Sequence, residues 1–307
     1  MSTVRHQTRP PADPSATGPT LELTSAQLGI WNAQRLEPDS PYYLVGDVVE
    51  IAGDRPVDAR LLAAAIRATA AEAESPRLRV FDTPDGPRQV IGDPPGPPEI
   101  VDVSAEPDPA AAAAALVAAE RRRAAGAARE MVDRRLFFQT VIRLSEREVW
   151  YTQLGHHLVF DGYTAAMLAR RTAAHYTALA TGAPAPPSPF GPFANLVETD
   201  RAYLAGEQFE RDRAYWLDRL TPLPDLGSGA EPAPGPADRT LSARAVVSAE
   251  EFARLRAFAD AEGVTWGEAL IACYAAFLHR RLGQTDVVFA LPLMCRTGSS
   301  CARPAWR

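Results

Sequence analysis

The segment that most restricts the fold runs from Leu136 to Leu179. Two stretches rich in Phe, Val, Ile, Trp and Tyr, Leu136 to Leu144 and Val149 to Leu154, flank Ser145-Glu146-Arg147-Glu148, a spacing that suits a β-hairpin. The second stretch leads through Gly155 into His156-His157-Leu158-Val159-Phe160-Asp161-Gly162. Ala165, Leu168, Ala169, Thr172 and Tyr176 then recur at helical spacing between Thr164 and Leu179. A hairpin that turns directly into an amphipathic helix needs further strands beside it and a sheet face to bury the helix, so the pattern predicts layered α/β structure. It also places two of the five histidines at a strand-to-helix junction, where rigid flanking elements hold exposed side chains.

The chain before this segment extends the pattern. Residues 1 to 20 are Pro-rich and polar and are expected to form a disordered leader. Thr24-Ser25-Ala26-Gln27 fits a capping box, the Thr24 hydroxyl accepting from the Gln27 amide while the Gln27 side chain reaches back. Leu28, Trp31 and Arg35 follow at helical spacing, as on a well-capped surface helix. Tyr42 to Ile51 reads as a strand and Val57 to Glu74 as a helix with Leu62, Ala65, Ile66 and Ala73 on one face. Leu78 to Phe81 and Gln89 to Ile91 read as strands around the turn Thr83-Pro84-Asp85-Gly86. After the stiff Pro94-Pro95-Gly96-Pro97-Pro98 and the short apolar Ile100 to Val103, Asp108 and Pro109 read as the N-cap and first position of an Ala-rich helix reaching about Val132. Its Arg121-Arg122-Arg123 triplet has no interleaved aromatic residues and reads as a solvated face.

At 307 residues the chain exceeds a typical domain of about 100–200 residues, which predicts two lobes. The Pro/Gly-rich stretch 181–192 is the candidate linker between an N-terminal lobe, residues 21–180, and a C-terminal lobe, residues 193–307. In the second lobe Phe193 to Leu220, Ala249 to Glu262 and Thr265 to Leu282 read as helical, with a second Pro/Gly tract from Thr221 to Asp238. Thr240 to Val247 and Val287 to Leu291 read as strands. Leu293 to Arg307 adds nothing that could finish a sheet, so the second lobe is expected to be incomplete.

Composition removes several functions. A net charge of −6 argues against nucleic-acid binding, which needs a basic surface to neutralise phosphates. All 32 basic residues are arginines, so there is no P-loop, Schiff-base or kinase lysine. Cys273, Cys295 and Cys301 are too few and too late for a disulfide framework and form no C-x-x-C pair, which suits a reducing cytoplasm. No signal-like segment or membrane-length apolar run is present in the sequence.

The chemistry therefore concentrates on the junction. A neutral imidazole can take a proton from a reacting amine or hydroxyl. His157 and Asp161 could instead ligate a metal, but His175 and His279 lie at no ligand-like spacing to complete the set. Plain burial is the usual reading of one lone histidine, and two adjacent histidines followed by Asp161 and Gly162 weaken it. Adjacent strand residues point to opposite faces, so one histidine should enter the core and hold the loop while the other faces an open channel.

His156-His157-x-x-x-Asp161-Gly162 resembles the active-site motif of the condensation domains of nonribosomal peptide synthetases, in the chloramphenicol-acetyltransferase-like superfamily. Thr24-Ser25-Ala26-Gln27-Leu28-Gly29-Ile30-Trp31 is similar to that family's opening motif, and Val287 to Arg296 is similar to its later strand followed by Pro and Arg. Plant-type acyltransferases share H-x-x-x-D-G but pair it with a late D-F-G-W-G, which this sequence lacks. The resemblance implies two αβ lobes in a V-shaped pseudo-dimer, with donor and acceptor peptidyl carrier proteins and adjacent synthetase modules as partners. It implies that His157 faces the tunnel, as general base or as the group that orients the amine and stabilises the tetrahedral intermediate. His156, Asp161 and Gly162 are then structural, with Arg296 the candidate partner of Asp161. No cofactor is bound directly, since the phosphopantetheine arms belong to the carriers. Because such domains continue beyond this length, a catalytically incompetent fragment that only binds partners, or an ester-forming, cyclising or epimerising relative, are the alternatives.

Overall fold

The computed structural model describes residues 19–128, 131–221, 245–288 and 291. The leader up to residue 18, most of the second Pro/Gly tract, residues 240–244 of the expected strand, and Arg296 with the rest of 292–307 lie outside the described residues. In chain order the elements are β1 (Leu21–Glu22), α1 (Ser25–Leu36), β2 (Leu44–Ala52), α2 (Ala59–Glu72), β3 (Leu78–Thr83), β4 (Gly86–Ile91), β5 (Glu99–Asp102), α3 (Pro109–Ala128), β6 (Phe137–Arg143), β7 (Glu148–His156), α4 (Gly162–Thr181), α5 (Ala194–Leu204), α6 (Glu207–Arg219), α7 (Ala249–Ala261) and α8 (Trp266–Leu282).

β6 and β7 form the expected hairpin, with Arg143 opposite Val149 and Phe137 opposite Gly155. On its other edge β7 pairs antiparallel with β2, from Leu44 opposite His156 to Ala52 opposite Glu148, and β5 joins β6 in parallel. The sheet order is β2-β7-β6-β5; a smaller sheet has the order β1-β4-β3. Strand alternation divides the larger sheet into two apolar faces. Val141, Val149 and Tyr151 pack with Leu62, Ala63 and Ile66 of α2, whereas Ile142 and Leu144 pack with Ala113 and Val117 of α3. Helices thus cover both faces of this sheet, and the strand that leads into the histidine motif lies in its interior rather than at an edge.

Local chemistry sets the element ends. Asp108 accepts from the Ala111 amide at the start of α3, and Asp58 accepts from the Arg60 and Leu61 amides at the start of α2. The Ala-rich helix stops short of the expected Val132, which instead makes a single parallel bridge with Val80. Next to it, Asp133 takes a left-handed φ of 54° and pairs with Arg79.

α2 and α4 are locked by an ion pair that composition alone does not reveal. Arg171, buried on α4, donates from Nε and Nη2 to the two oxygens of Glu72 at 2.7 and 2.6 Å and from Nη1 to the Pro186 carbonyl at 2.7 Å. His175 Nε2 lies 2.9 Å from the same carboxylate. The tract 181–192 is therefore strapped to α4, and the Phe193 amide donates to Glu74 at 2.6 Å. Leu196 and Val197 of α5 pack against the core that contains Trp31. The first compact unit consequently continues to Ala205, and a second begins at Gly206. The expected helix from Phe193 to Leu220 is broken there, leaving α5 and α6 in different units.

Within the second unit, α7 and α8 pack on each other, each opened by a capping box, Ser248 with Glu251 and Thr265 with Glu268. Gly283, at φ 67°, ends α8 in the left-handed conformation that glycine tolerates. Residues 245–247 and 287–288 are irregular, not strands as expected; among the described residues this unit offers no strand for them to pair with. No helix among the described residues is long and apolar enough to cross a membrane.

Burial opposes ionisation of Glu72, but hydrogen bonds from Arg171 and Ser188 and the charges of Arg171 and His175 outweigh it and hold the carboxyl below its usual range. The stability this contributes is present above the usual carboxylate range and is lost as pH falls through the lowered value. Urea denaturation should show the midpoint falling on acidification, with a shallower fall for Glu72→Gln. Arg171→Met, which strands the carboxylate, should cost about 2–3 kcal/mol at neutral pH after allowance for the part of Glu72 that solvent reaches.

Candidate active site

β7 ends at His156, residues 157–159 form a turn closed by the Val159 amide donating to the His156 carbonyl at 2.9 Å, and α4 starts at Gly162. Between Tyr151 and Phe160 every residue is buried except His157. The backbone of the pair is held on both sides, the His156 amide donating to the Leu136 carbonyl at 2.8 Å and the His157 amide to the Tyr43 carbonyl at 2.7 Å. Gly155 makes the return of the chain possible: a Cβ there would lie 2.7 Å from the Phe160 Cβ and 3.0 Å from Phe137, inside any normal contact. Phe137 and Phe160 use that space, with ring centroids 4.9 Å apart.

The His156 ring is 1% exposed and fully engaged. Its Nδ1 accepts from the Leu158 amide at 3.2 Å, and its Nε2 lies 3.2 Å from Gln34 Oε1. The Gln34 NH2 group faces three carbonyls, Glu37, Pro38 and Ser40, at 3.0–3.2 Å, so its oxygen must face the imidazole. An amide oxygen only accepts, so Nε2 carries the proton and the ring is neutral. Burial, and after it the electrostatic influence of the neighbouring His157, pushes the His156 pKa down to about 4. This histidine is a fixed structural strut. The His157 ring, by contrast, makes no hydrogen bond among the described residues.

Asp161 is the N-cap of α4, its Oδ1 accepting from the Thr164 amide at 2.7 Å. Gly162 is exposed at the first position of the helix, and a Cβ there would meet nothing within 4 Å. Among the described residues no neighbour therefore demands glycine at that point. Arg296 lies outside the described residues. Among those residues no group of three or more His, Cys, Asp or Glu side chains is placed to hold a metal ion.

The residues that sequence reading missed lie on α1. Its capping box forms as expected, with the Gln27 amide donating to Thr24 Oγ1 at 3.3 Å and the Thr24 amide to Gln27 Oε1 at 3.0 Å. The buried side chains, however, are Gln27, Trp31 and Gln34, while Leu28 and Arg35 are exposed. Gln27 Nε2 donates to the Leu158 carbonyl at 2.8 Å and exchanges two 2.9 Å bonds with the Gln89 amide. Gln34 grips His156 two turns later. One face of α1 thus holds the motif loop at two points, with Trp31 packed between them in the core. The spacing Gln27, Trp31, Gln34 was the available signal, but a search for apolar periodicity passes over a face built from two amides. Asp200 of α5 in turn accepts from the Ser25 amide and hydroxyl at 2.8 and 2.6 Å, fixing the start of α1.

Gln27→Leu should leave the Leu158 carbonyl and the Gln89 side-chain oxygen without their donor, while the Gln89 NH2 group keeps the Glu22 carbonyl, and cost about 1–3 kcal/mol in urea denaturation. Gln27→Leu with Gln89→Leu should cost less than the sum of the two single changes, since either single change already removes both bonds that the two amides exchange.

A family model described as "Condensation domain" matches residues 19–304. The chain is 36% identical over 279 residues to a dimodular nonribosomal peptide synthase of Bacillus subtilis (strain 168), covering 91% of this chain and 12% of that protein. It is also 36% identical over 285 residues to an isonitrile lipopeptide synthase of Streptomyces coeruleorubidus, covering 92% of this chain and 19% of that protein. Among solved structures, the first condensation domain of the calcium-dependent antibiotic synthetase, bound to a substrate analogue, superposes with a TM-score of 0.77 at 32% identity, covering 92% of this chain and 66% of that one. The chain thus spans a small part of these synthases and just under two thirds of the solved condensation-domain chain. The mixed α/β architecture matches that domain, the chloramphenicol-acetyltransferase-like fold that the sequence motifs imply. Since the matching family model takes in both the α1 motif and the histidine loop along with most of the remaining length, the chain belongs to the condensation-domain family.

Proposed function

We propose that the chain carries the amide-forming centre of a condensation step in nonribosomal peptide synthesis, acting in the cytoplasm on thioesters held by donor and acceptor peptidyl carrier proteins within or beside synthetase modules. The α-amine of the acceptor attacks the donor's acyl carbon, a C–N bond forms, and the C–S bond to the donor's phosphopantetheine breaks. The departing thiolate takes up a proton as the amine nitrogen loses one, and the lengthened chain stays on the acceptor carrier. No covalent enzyme intermediate is required, so catalysis rests on positioning and on proton movement at the amine.

The observation that carries this reading is the isolation of His157: in an otherwise buried run it alone reaches solvent, its backbone held at Tyr43 and its neighbour His156 held by Gln34. In this reading His157 meets the reacting amine. It serves either as general base or by orienting the amine and stabilising the tetrahedral intermediate. His156 fixes the loop, Asp161 fixes the start of α4 and takes Arg296 as its partner, and Gly162, which has no side chain, lets a substrate approach the backbone.

The test supplies the purified chain with carrier proteins loaded with acyl and aminoacyl thioesters and follows amide formation. His157→Ala should lower turnover by about 100-fold or more. Undiminished turnover in the variant, or carrier binding by the wild type with no amide formed, would overturn the proposal. A wild-type rate that rises with pH and then levels, with the rise absent from the His157→Ala residual activity, assigns the base role; a flat profile assigns the orienting role.

A further inference from the structure

We propose that Gln34 is a positioning residue for this centre: its side-chain oxygen fixes His156 as the Nε2–H tautomer, which leaves Nδ1 free to accept from the Leu158 amide and so sets the turn that presents His157. The inference rests on the proposed role of His157, but its structural half can be tested without any turnover.

The argument follows from donor and acceptor counts. Gln34 has no freedom to flip, because three backbone carbonyls surround its NH2 group. Its oxygen therefore demands a donor, and the His156 Nε2–H is the donor it faces at 3.2 Å. A neutral imidazole carries one proton, so Nδ1 becomes an acceptor, as the Leu158 amide at 3.2 Å requires. The Leu158 carbonyl is taken by Gln27, so both polar backbone groups of that residue are satisfied from the α1 side. A change at either end of this relay reaches the residue after His157. Near the His156 ring lie also the Tyr43 ring, with centroids 6.2 Å apart, and His157.

The relay also explains what a second proton on His156 would do. With both nitrogens protonated, Nδ1–H would face the Leu158 N–H, two donors with no acceptor between them, and the turn would open. Burial keeps that state away from neutral pH in the wild-type chain. A carboxylate in place of the Gln34 amide would favour it, because an opposite charge stabilises the imidazolium.

The experiment compares wild type, Gln34→Met and Gln34→Glu as full chains, using 15N-detected imidazole spectra, exchange protection of the Leu158 amide, and amide formation with loaded carriers. Wild-type His156 should show a single Nε2–H tautomer that does not titrate between pH 5 and pH 8. Gln34→Met should mix tautomers, weaken Leu158 protection and lower kcat about tenfold at every pH, with KM little changed. Gln34→Glu should instead lose Leu158 protection and kcat together as pH falls, and recover both as His156 loses its second proton. A merely packing role for Gln34 predicts no such difference in pH dependence. An Nδ1–H tautomer in the wild type overturns the inference, as does a single unchanged tautomer in Gln34→Met, or a Gln34→Glu profile parallel to wild type. If the chain forms no amide, the spectra and exchange still decide the relay, and the failure falls on the proposed reaction alone.

Discussion

The motif loop depends on a helix far from it in sequence. α1 presents Gln27 and Gln34 on one face, and between them they take the Leu158 carbonyl and the His156 ring. A turn between a strand and a helix leaves backbone groups that neither element can satisfy, and leaving them buried without partners would cost more than the bonds themselves return. The two amides meet that need in the interior, where water cannot. They also fix direction, since each amide has one donor end and one acceptor end and each end here faces a complementary group. The loop is thereby specified as one conformation rather than merely buried.

The same logic separates the adjacent histidines. His156 is placed where the strand ends and both ring nitrogens find partners, which removes it from chemistry near neutral pH. His157 begins the turn, where the chain has left the sheet and the side chain reaches solvent. Gly155 and Phe160 complete the arrangement from below, the missing side chain of one making room for the ring of the other. Rigidity beneath and exposure above suit a group that must meet a substrate delivered from outside. The bonds from Asp200 to Ser25 extend the support, so that α5 steadies α1 and α1 steadies the loop.

Much of this fold was legible in the sequence. The β6–β7 hairpin, α2, α4, the Thr24 capping box and the strand-to-helix junction follow from alternation, helical spacing and turn chemistry, all of which act over a few residues. The failures share a cause. Of the strands expected at Thr240 to Val247 and Val287 to Leu291, residues 240–244 and 289–290 lie outside the described residues, and 245–247, 287–288 and 291 are irregular; strand formation depends on a partner that composition does not supply. The Pro/Gly tract 181–192 looks like a linker by composition, whereas Arg171 binds its carbonyls and draws it into the first unit. On α1 the helical spacing picked out Leu28, Trp31 and Arg35; of these Trp31 is buried, and the rest of the buried face belongs to Gln27 and Gln34, which scales of hydrophobicity place outside.

The sequence by itself determined which residues could do chemistry: a pair of histidines followed by Asp161 and Gly162, with no lysine anywhere to offer another route. It also determined the element that carries them, since periodicity and capping are local. Only the tertiary structure decided which histidine is free and which is bound, and in what tautomer. That decision needs Gln34 to arrive from α1 and Tyr43 and Leu136 from the segments that lead into β2 and β6, and the hydrogen-bond direction of a buried amide is set by all the groups around it at once.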